Sequence, residues 1–277
     1  ICRINPITNL KNIFLNSKRY TVTSMCRFDD DNVLMSDPDY GLLLFNRRNG
    51  AIKSLSDHPV LGEISNSGSR NIRLASVPTG DVFIFNVNSR HYVYRHESGT
   101  LQEFIIPGHD VQSIKNIENI CISQYAVYAT CQGEIVEIDY NTTETRNIYH
   151  NHETAIHKIT SLATNSQGEL FFTEPEGLHR YDPRSNIDEL VFKTWGNGRF
   201  MNVAVDKKDR VWFNTTNEYI HLYDPAKKEM LMYSVEDGVP SSRSLTQFAV
   251  CTSTGIVLFP NANGLVAINT NSSLMND

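Results

Sequence analysis

Six basic positions stand 12 to 14 residues ahead of an apolar residue that recurs along this 277-residue chain. They are Arg19 before Val33, Arg70 before Val82, Lys115 before Val127, His157 or Lys158 before Leu170, Arg199 before Val211, and Arg243 before Ile256. A planar guanidinium takes a carboxylate or sulfate in two-point contact, so cations brought together would bind an anionic or strongly polar ligand. Trp195, in "WGNGRF", lies just ahead of Arg199. Its flat apolar face suits a sugar ring and its N–H can donate to a hydroxyl. Tyr20, Tyr40 and His109 are weaker candidates of the same kind. Each cation has a plainer alternative, an ion pair with a neighbouring carboxylate or a solvated loop. For Trp195 the alternative is a cap on the core.

Other chemistries find less support. "YHNHETAIH" holds His150, His152 and His157, and an i, i+2 pair on extended chain puts two rings on one side. No carboxylate or cysteine at ligand spacing joins them, so no metal is expected. The chain has no Gly-x-Ser-x-Gly elbow, no His-Glu-x-x-His and no Gly-rich phosphate loop. Glu174 and Glu176 alternate on a loop without a partner at defined spacing. No catalytic residue and no cofactor is therefore assigned, and the segment reads as a binding module. The five cysteines lack metal-ligand spacing, and Cys26, Cys121 and Cys251 fall within apolar strand candidates, where they read as buried small hydrophobes.

The cations meet only if the elements carrying them are arranged around a common point. "RVWFNTTNEYIHLYDP" (210–225) contains two short runs rich in β-branched and aromatic residues around a polar turn, which predicts a hairpin. The same hairpin recurs. Its first apolar residue is Val33, Val82, Val127, Leu170, Val211 and Ile256, at spacings of 49, 45, 43, 41 and 45 residues. Eleven or twelve residues after each anchor an apolar residue ends the next strand, and Asn or Asp follows in five of the six. With a strand before the anchor and one after the Asp-Pro turn, each unit has four short strands, the signature of a β-propeller blade. "ICRINP" matches "LHRYDP" (178–183) and places residues 1–4 in a third strand. The expected fold is all-β, a β-propeller of six nearly complete four-stranded blades plus a leading half-blade. A seven-bladed ring accounts for the half-blade; a six-bladed ring is the alternative. Residues 1–277 are expected to form one propeller domain, a piece of a larger multidomain chain. In such a fold the first strand of each blade lines the channel, and its lead-in shares a face with the turn between the second and third strands. The six cations would then surround the channel mouth.

Composition narrows the partners. A net charge of −6 with pI near 5.9 disfavours a nucleic-acid reader. Apolar content of 40% with 20% charged residues fits a globular core. Apolar runs such as Leu42 to Phe45 are far too short to span a bilayer, and residues 1–22 lack the pattern of a signal peptide.

"ITSLATNSQGELFFTEPEGLHRYDP" (159–183) and "MNVAVDKKDRVWFNTTNEYIHLYDP" (201–225) resemble the two-component regulator propeller repeat. The tail "EDGVPSSRSLTQFAVCTSTGIVLFPNANGLVAIN" (236–269) is similar to the last blade of the sensor propellers in hybrid two-component systems. The blades at 71–105 and 117–150 lack the Trp and the Gly-Leu pair, so there the period carries the assignment. The resemblance implies a periplasmic sensor portion of an inner-membrane histidine kinase that detects an oligosaccharide, with the kinase outside this segment. The partners expected are an oligosaccharide, anionic if the six cations hold it, and neighbouring domains of the same chain, with a homodimer left open. "FFTEPEGLHRYDP" and "ICRINP" also look like streptogramin lyase propellers, which need a His and acidic metal ligands; Glu174 and His179 are single matches. Gluconolactonase-like propellers, with calcium on a Glu, Asn and Asp, complete the enzyme alternative.

Overall fold

The computed structural model describes residues 2–4, 11–13, 20–107, 116–131, 133–150, 158–175, 177–193, 199–216, 219–239, 249–261 and 264–271. Two short strands, β1 (Cys2–Ile4) and β2 (Lys11–Ile13), pair antiparallel. Six antiparallel sheets follow in chain order. The first comprises β3 (Ser24–Arg27), β4 (Asn32–Asp37), β5 (Gly41–Asn46) and β6 (Ile52–Ser54). The second comprises β7 (Arg73–Ser76), β8 (Val82–Val87), β9 (Arg90–Arg95) and β10 (Thr100–Phe104). The third comprises β11 (Asn119–Ile122), β12 (Ala126–Cys131), β13 (Glu134–Asp139) and β14 (Thr145–His150). The fourth comprises β15 (Ser161–Thr164), β16 (Leu170–Glu174), β17 (Gly177–Asp182) and β18 (Ile187–Lys193). The fifth comprises β19 (Phe200–Val205), β20 (Val211–Thr215), β21 (Ile220–Asp224) and β22 (Glu229–Tyr233), and the sixth β23 (Val250–Cys251), β24 (Ile256–Asn261) and β25 (Gly264–Asn269). Each is an up-and-down meander, and the fold is a β-propeller. The four-residue helix α1 (Gly62–Ser65) is the only α-helix among the described residues.

The chain divides into two compact units, residues 1–131 with 136–147, and residues 132–135 with 148–277. In each, the core lies between successive sheets. Leu34, Leu42, Ile72, Leu74 and Ile84 join the first sheet to the second, and Phe83, Phe85, Phe104, Val127 and Ile138 join the second to the third. In the other unit Phe171, Leu178, Phe200 and Phe213 join the fourth to the fifth, and Trp212, Leu222, Val257 and Phe259 the fifth to the sixth. Strands β8, β12, β16 and β20 are buried at every residue, which is why the sequence shows continuous apolar runs there rather than alternation. The outermost strands β18 and β22 are mostly exposed.

The Asn or Asp that ends the third strand in five of the six sheets has a local cause. Its side chain accepts backbone N–H groups two and three residues on: Asn46 from Arg48 and Asn49, Asp139 from Asn141 and Thr142, Asp224 from Ala226 and Lys227. These are Asx turns, which fix the reversal into the fourth strand. Gly255, at φ +78 in the β23–β24 turn, meets the Asn271 side chain where a Cβ would stand, a place only glycine fills without strain.

In five sheets the next-to-last residue of the second strand, at the opposite end of the sheet, is polar and buried: Ser36, Asn86, Thr130, Thr173 and Asn214. Asn86 Nδ2 donates to the Asn71 and Ile117 carbonyls, at 3.1 and 2.8 Å, and its Oδ1 accepts the Ile117 N–H at 2.9 Å. It thereby ties the second sheet to the lead-in of the third. Its φ of 64 is one Asn tolerates better than most residues. Asn86→Ala leaves the two buried Ile117 backbone groups without that partner, at about 1–3 kcal/mol each before relaxation, and frees the less buried Asn71 carbonyl. We expect a net loss of about 2–4 kcal/mol, read as a lower urea midpoint with unchanged m value; a loss below about 1 kcal/mol would show the tie to be dispensable.

Candidate ligand-binding site

The lead-in cations were expected at the end of each blade that carries the turn between second and third strands. In the first unit Arg70 lies there, exposed, between α1 and β7. The neighbouring backbone is pinned: Ser69 Oγ donates to Asn88 Oδ1 and accepts the Asn88 N–H, both at 2.9 Å, and Asn88 Nδ2 reaches the Ser67 carbonyl at 3.3 Å. Asn88 and Ser89 have φ of 50 and 65, the paired left-handed residues of a tight hairpin turn. Between this turn and α1 runs an open groove of about 530 Å³, with Glu63, Asn66, Arg90 and Tyr92 among its walls. Composition had not pointed to it. The one sequence signal was the 49-residue spacing from Val33 to Val82, the longest of the series, which leaves room for α1.

Tyr20 and Tyr40 meet edge to face, with ring centroids 5.3 Å apart. Buried Asp37 holds them: Oδ2 accepts the Thr21 N–H at 2.6 Å, and Oδ1 the Asp39 and Tyr40 N–H groups at 2.9 and 3.0 Å. Gly41 follows at φ +69, and a Cβ there would stand 2.0 Å from the Ser65 carbonyl oxygen. Only glycine lets α1 pack so closely on this turn.

In the second unit Arg199 is exposed before β19, its N–H bonded to Thr216 Oγ1 at 3.0 Å while its carbonyl accepts the Thr216 N–H at 2.8 Å. Lys158 is exposed ahead of β15. Among the described residues the guanidinium groups of Arg70 and Arg199 make no hydrogen bond or ion pair. Arg19, Lys115, Trp195 and Arg243 lie outside the described residues, as do His109, His152 and His157. The convergence of the six cations is thus not on view.

Another cation of the inner strands was missed. Arg73, on β7, donates from Nη1 to the Thr23 carbonyl at 2.8 Å; burial lowers its pKa and Glu118 opposes the shift. It braces the first and second sheets. The only hint was its place in a strand rather than ahead of one.

The histidines and thiols sort by burial. His150 Nδ1 lies 2.9 Å from Glu134 Oε1, and no group of three or more His, Cys, Asp or Glu able to hold a metal occurs among the described residues. His179 stacks on Phe172 at 5.0 Å, with Nδ1 3.0 Å from Asp188 and Nε2 3.9 Å from Glu174. His221 stacks on Phe213 at 4.9 Å in the matching place of the next sheet, without a carboxylate, and burial lowers its pKa to about 4. Cys26, Cys121 and Cys251 are free thiols, and burial pushes Cys26 up to about 12.

No family model matches the chain, and no curated protein matches it in sequence. Solved structures do resemble it. The extracellular domain of BT4673 from B. thetaiotaomicron, described as a one-component system, superposes with a TM-score of 0.71 at 14% identity over 95% of this chain. A second structure of it, described as a hybrid two-component system, gives 0.69 at 13% identity over 94%. This chain spans 35% of the first of those chains, about a third of its length. A catalytically inactive virginiamycin B lyase from Staphylococcus aureus, with quinupristin, gives 0.65 at 12% identity, covering 94% of this chain and 88% of the lyase. At such identities the likeness is one of fold.

Two outcomes follow from the geometry. Arg70→Ala and Arg199→Ala should each change unfolding free energy by less than about 0.5 kcal/mol, since neither side chain holds the fold; a sharp drop in melting temperature would make them braces. For His221 the fold favours the neutral ring, so the unfolded chain binds the extra proton between its ordinary value of 6.5 and about 4. Stability is therefore lost as pH falls through that window. His221→Phe should gain about 2 kcal/mol on wild type at about pH 4.5 relative to about pH 7.5 in urea unfolding. Parallel pH profiles would refute it.

Proposed function

We propose that this chain is a ligand-sensing extracytoplasmic propeller of a hybrid two-component sensor, located in the periplasm, that detects an oligosaccharide and signals to a histidine kinase elsewhere in its chain. The observation that carries the binding role is that Arg70 in one unit and Arg199 in the other are each exposed at a strand lead-in and, among the described residues, make no ion pair or side-chain hydrogen bond. A solvated cation of this kind is available to a ligand, and each fits a carboxylate or sulfate group of a glycan. The sensor role is supported by the fold shared with the BT4673 extracellular domain. It also draws on the closing segment, where Gly255 sits in the β23–β24 turn and Phe259, Gly264 and Leu265 pair within the β24–β25 hairpin, as the resemblance of 236–269 leads one to expect. The absence of any helix long and apolar enough to cross a membrane, among the described residues, is compatible with a segment lying outside it.

The lyase alternative has one specific observation behind it, the placement of His179 between Glu174 and Asp188. It explains neither arginine. Calorimetry with uronic-acid and sulfated oligosaccharides separates the readings. The sensor reading expects saturable binding that Arg199→Ala with Arg243→Ala weakens by about 1.5–3 kcal/mol per charged hydrogen bond lost, with no turnover of quinupristin. Ring opening of quinupristin by purified protein would overturn it, as would unaltered glycan affinity in the double variant.

A further inference from the structure

The first unit carries a second concavity, at the other end of its sheets from Arg70. It is an open cleft of about 810 Å³ framed by the β3–β4, β7–β8 and β11–β12 turns and by the start of the β9–β10 turn. We propose that this cleft binds a neutral sugar, a ligand class distinct from the anionic glycan expected at the strand lead-ins, and the proposal stands apart from the sensor reading.

The cleft has a rigid aromatic corner. Phe28 stacks on buried Tyr94, with centroids 5.8 Å apart and planes 19° apart, and His96 sits against Phe28 edge to face at 5.1 Å. His96 is anchored from behind, its backbone N–H donating to Asp81 Oδ1 at 2.9 Å. Asp81 is itself tied to Arg95 at 2.9 Å, and Arg95 bonds the Tyr140 and Asn141 carbonyls of the third sheet. Yet the imidazole is exposed, and among the described residues neither ring nitrogen has a hydrogen-bond partner. A polar ring held in place with both polar edges open is preorganised for a ligand at little entropic cost.

The polar groups around that corner fit hydroxyls better than ions. Each sugar hydroxyl donates once and accepts, so a vicinal pair needs donor and acceptor side by side. Arg27 and Asp30 supply both, paired with one another on the exposed β3–β4 turn. Their charges offset one another, and the third charged group of the lining, Asp29, is turned to the Asp31 and Asn32 N–H groups, so the cleft has no surplus of cations to select an anion. Across the cleft Gln124 presents an exposed side-chain amide, again one donor group and one acceptor, while its backbone carbonyl accepts from the Tyr140 hydroxyl. Val77, Pro78 and Ile122 give the apolar wall for the C–H face of a ring. The volume falls within the usual range for small-molecule sites.

The test is a titration of isotope-labelled protein with maltose, cellobiose, galactobiose and mannobiose, following the His96 imidazole and Gln124 side-chain amide signals by NMR. At least one disaccharide should shift both sets saturably at millimolar concentration. His96→Ala and Gln124→Ala should each raise its Kd by about tenfold, the effect of one lost hydrogen bond, and Lys53→Ala, at an exposed residue of β6 that does not line the cleft, should leave it unchanged. Both replaced side chains are exposed, so the variants should fold, and unchanged backbone amide spectra would verify this. Three results would overturn the proposal: no shift with any of the four sugars, shifts that survive His96→Ala unaltered, or digalacturonic acid binding more tightly than galactobiose.

Discussion

The bond on which the rest of this molecule depends is made by a buried polar side chain near the end of the second strand. A first strand pairs on one side only, and where it enters the sheet its backbone passes between two sheets with few bonds of its own, such as those from the Thr23, Glu118 and Thr160 N–H groups to the Ser36, Thr130 and Thr173 carbonyls. An unpaired buried amide or carbonyl costs about 1–3 kcal/mol. Five sheets meet that cost with a short polar residue at the same place. Thr130 Oγ1 accepts the Asn119 N–H at 3.1 Å, Asn214 Oδ1 the Asn202 N–H at 3.1 Å, and Thr173 Oγ1 pairs with Thr160 Oγ1 at 2.8 Å. Several of these contacts reach the next sheet as well. Ser36 donates to the Ile72 carbonyl, Thr160 to that of Phe200, and Ser24 and Ser161 accept the N–H groups of Leu74 and Val203. Apolar packing between sheets is strong but non-directional; these bonds fix the sliding position of one sheet on the next.

Because the lead-in backbone is fixed this way, side chains upstream of it are spared structural duty. That divides the arginines into two kinds. Arg73, Arg95, Arg180 and Arg210 are buried or half-buried and engaged with backbone carbonyls, with Asp81, Glu169 or Asp206, or with both. Asp206 is the extreme case, fully buried as a side chain, accepting from Arg210 and from the Trp212 indole N–H at 2.9 Å. Removing one partner of such a pair is costly because the other charge stays buried. Arg70 and Arg199 belong to the second kind, exposed and unengaged, and they stand where the chain needs no charge to fold.

The repeat was legible because its causes are local. Apolar runs mark the buried second strands, and the Asn or Asp that ends five of the six third strands makes an Asx turn; the third strands expected at 41–46, 134–139 and 177–182 are β5, β13 and β17 residue for residue. A strand expected at residues 1–4 is found as β1, paired with β2. What was illegible depends on distant partners. α1 exists because Gly41 admits the Ser65 carbonyl and Ser65 Oγ accepts the Leu42 N–H at 3.0 Å, contacts no local pattern announces. The carboxylates beside His179 were hidden for the same reason, since Asp188 reaches it only through the β17–β18 register and its shift at Leu178/His179. Spacing placed the cations ahead of each inner strand; it held no information on which, like Arg73, would turn inward.

The two ends of each blade are built under different constraints, and this bears on where function can vary. At one end the 1–2 and 3–4 turns are short and held by their own Asx or hydroxyl bonds, as at Asp29, Ser123, Asn165 and Asp206. Changing their length would break a hydrogen bond that sets the strand reversal, so chemistry there must come from side chains added to a fixed frame, as His96 and Gln124 are. At the other end the connection from the first sheet into β7 is held by a few particular bonds, Ser65 Oγ to the Leu42 N–H and Ser69 Oγ to Asn88 Oδ1. Its anchor spacing is the longest of the series, and α1 shows what the added length allows: a helix, a groove and an arginine, with the β4–β5 and β7–β8 ladders uninterrupted. Recognition that must differ between otherwise similar propellers is most cheaply encoded at that end.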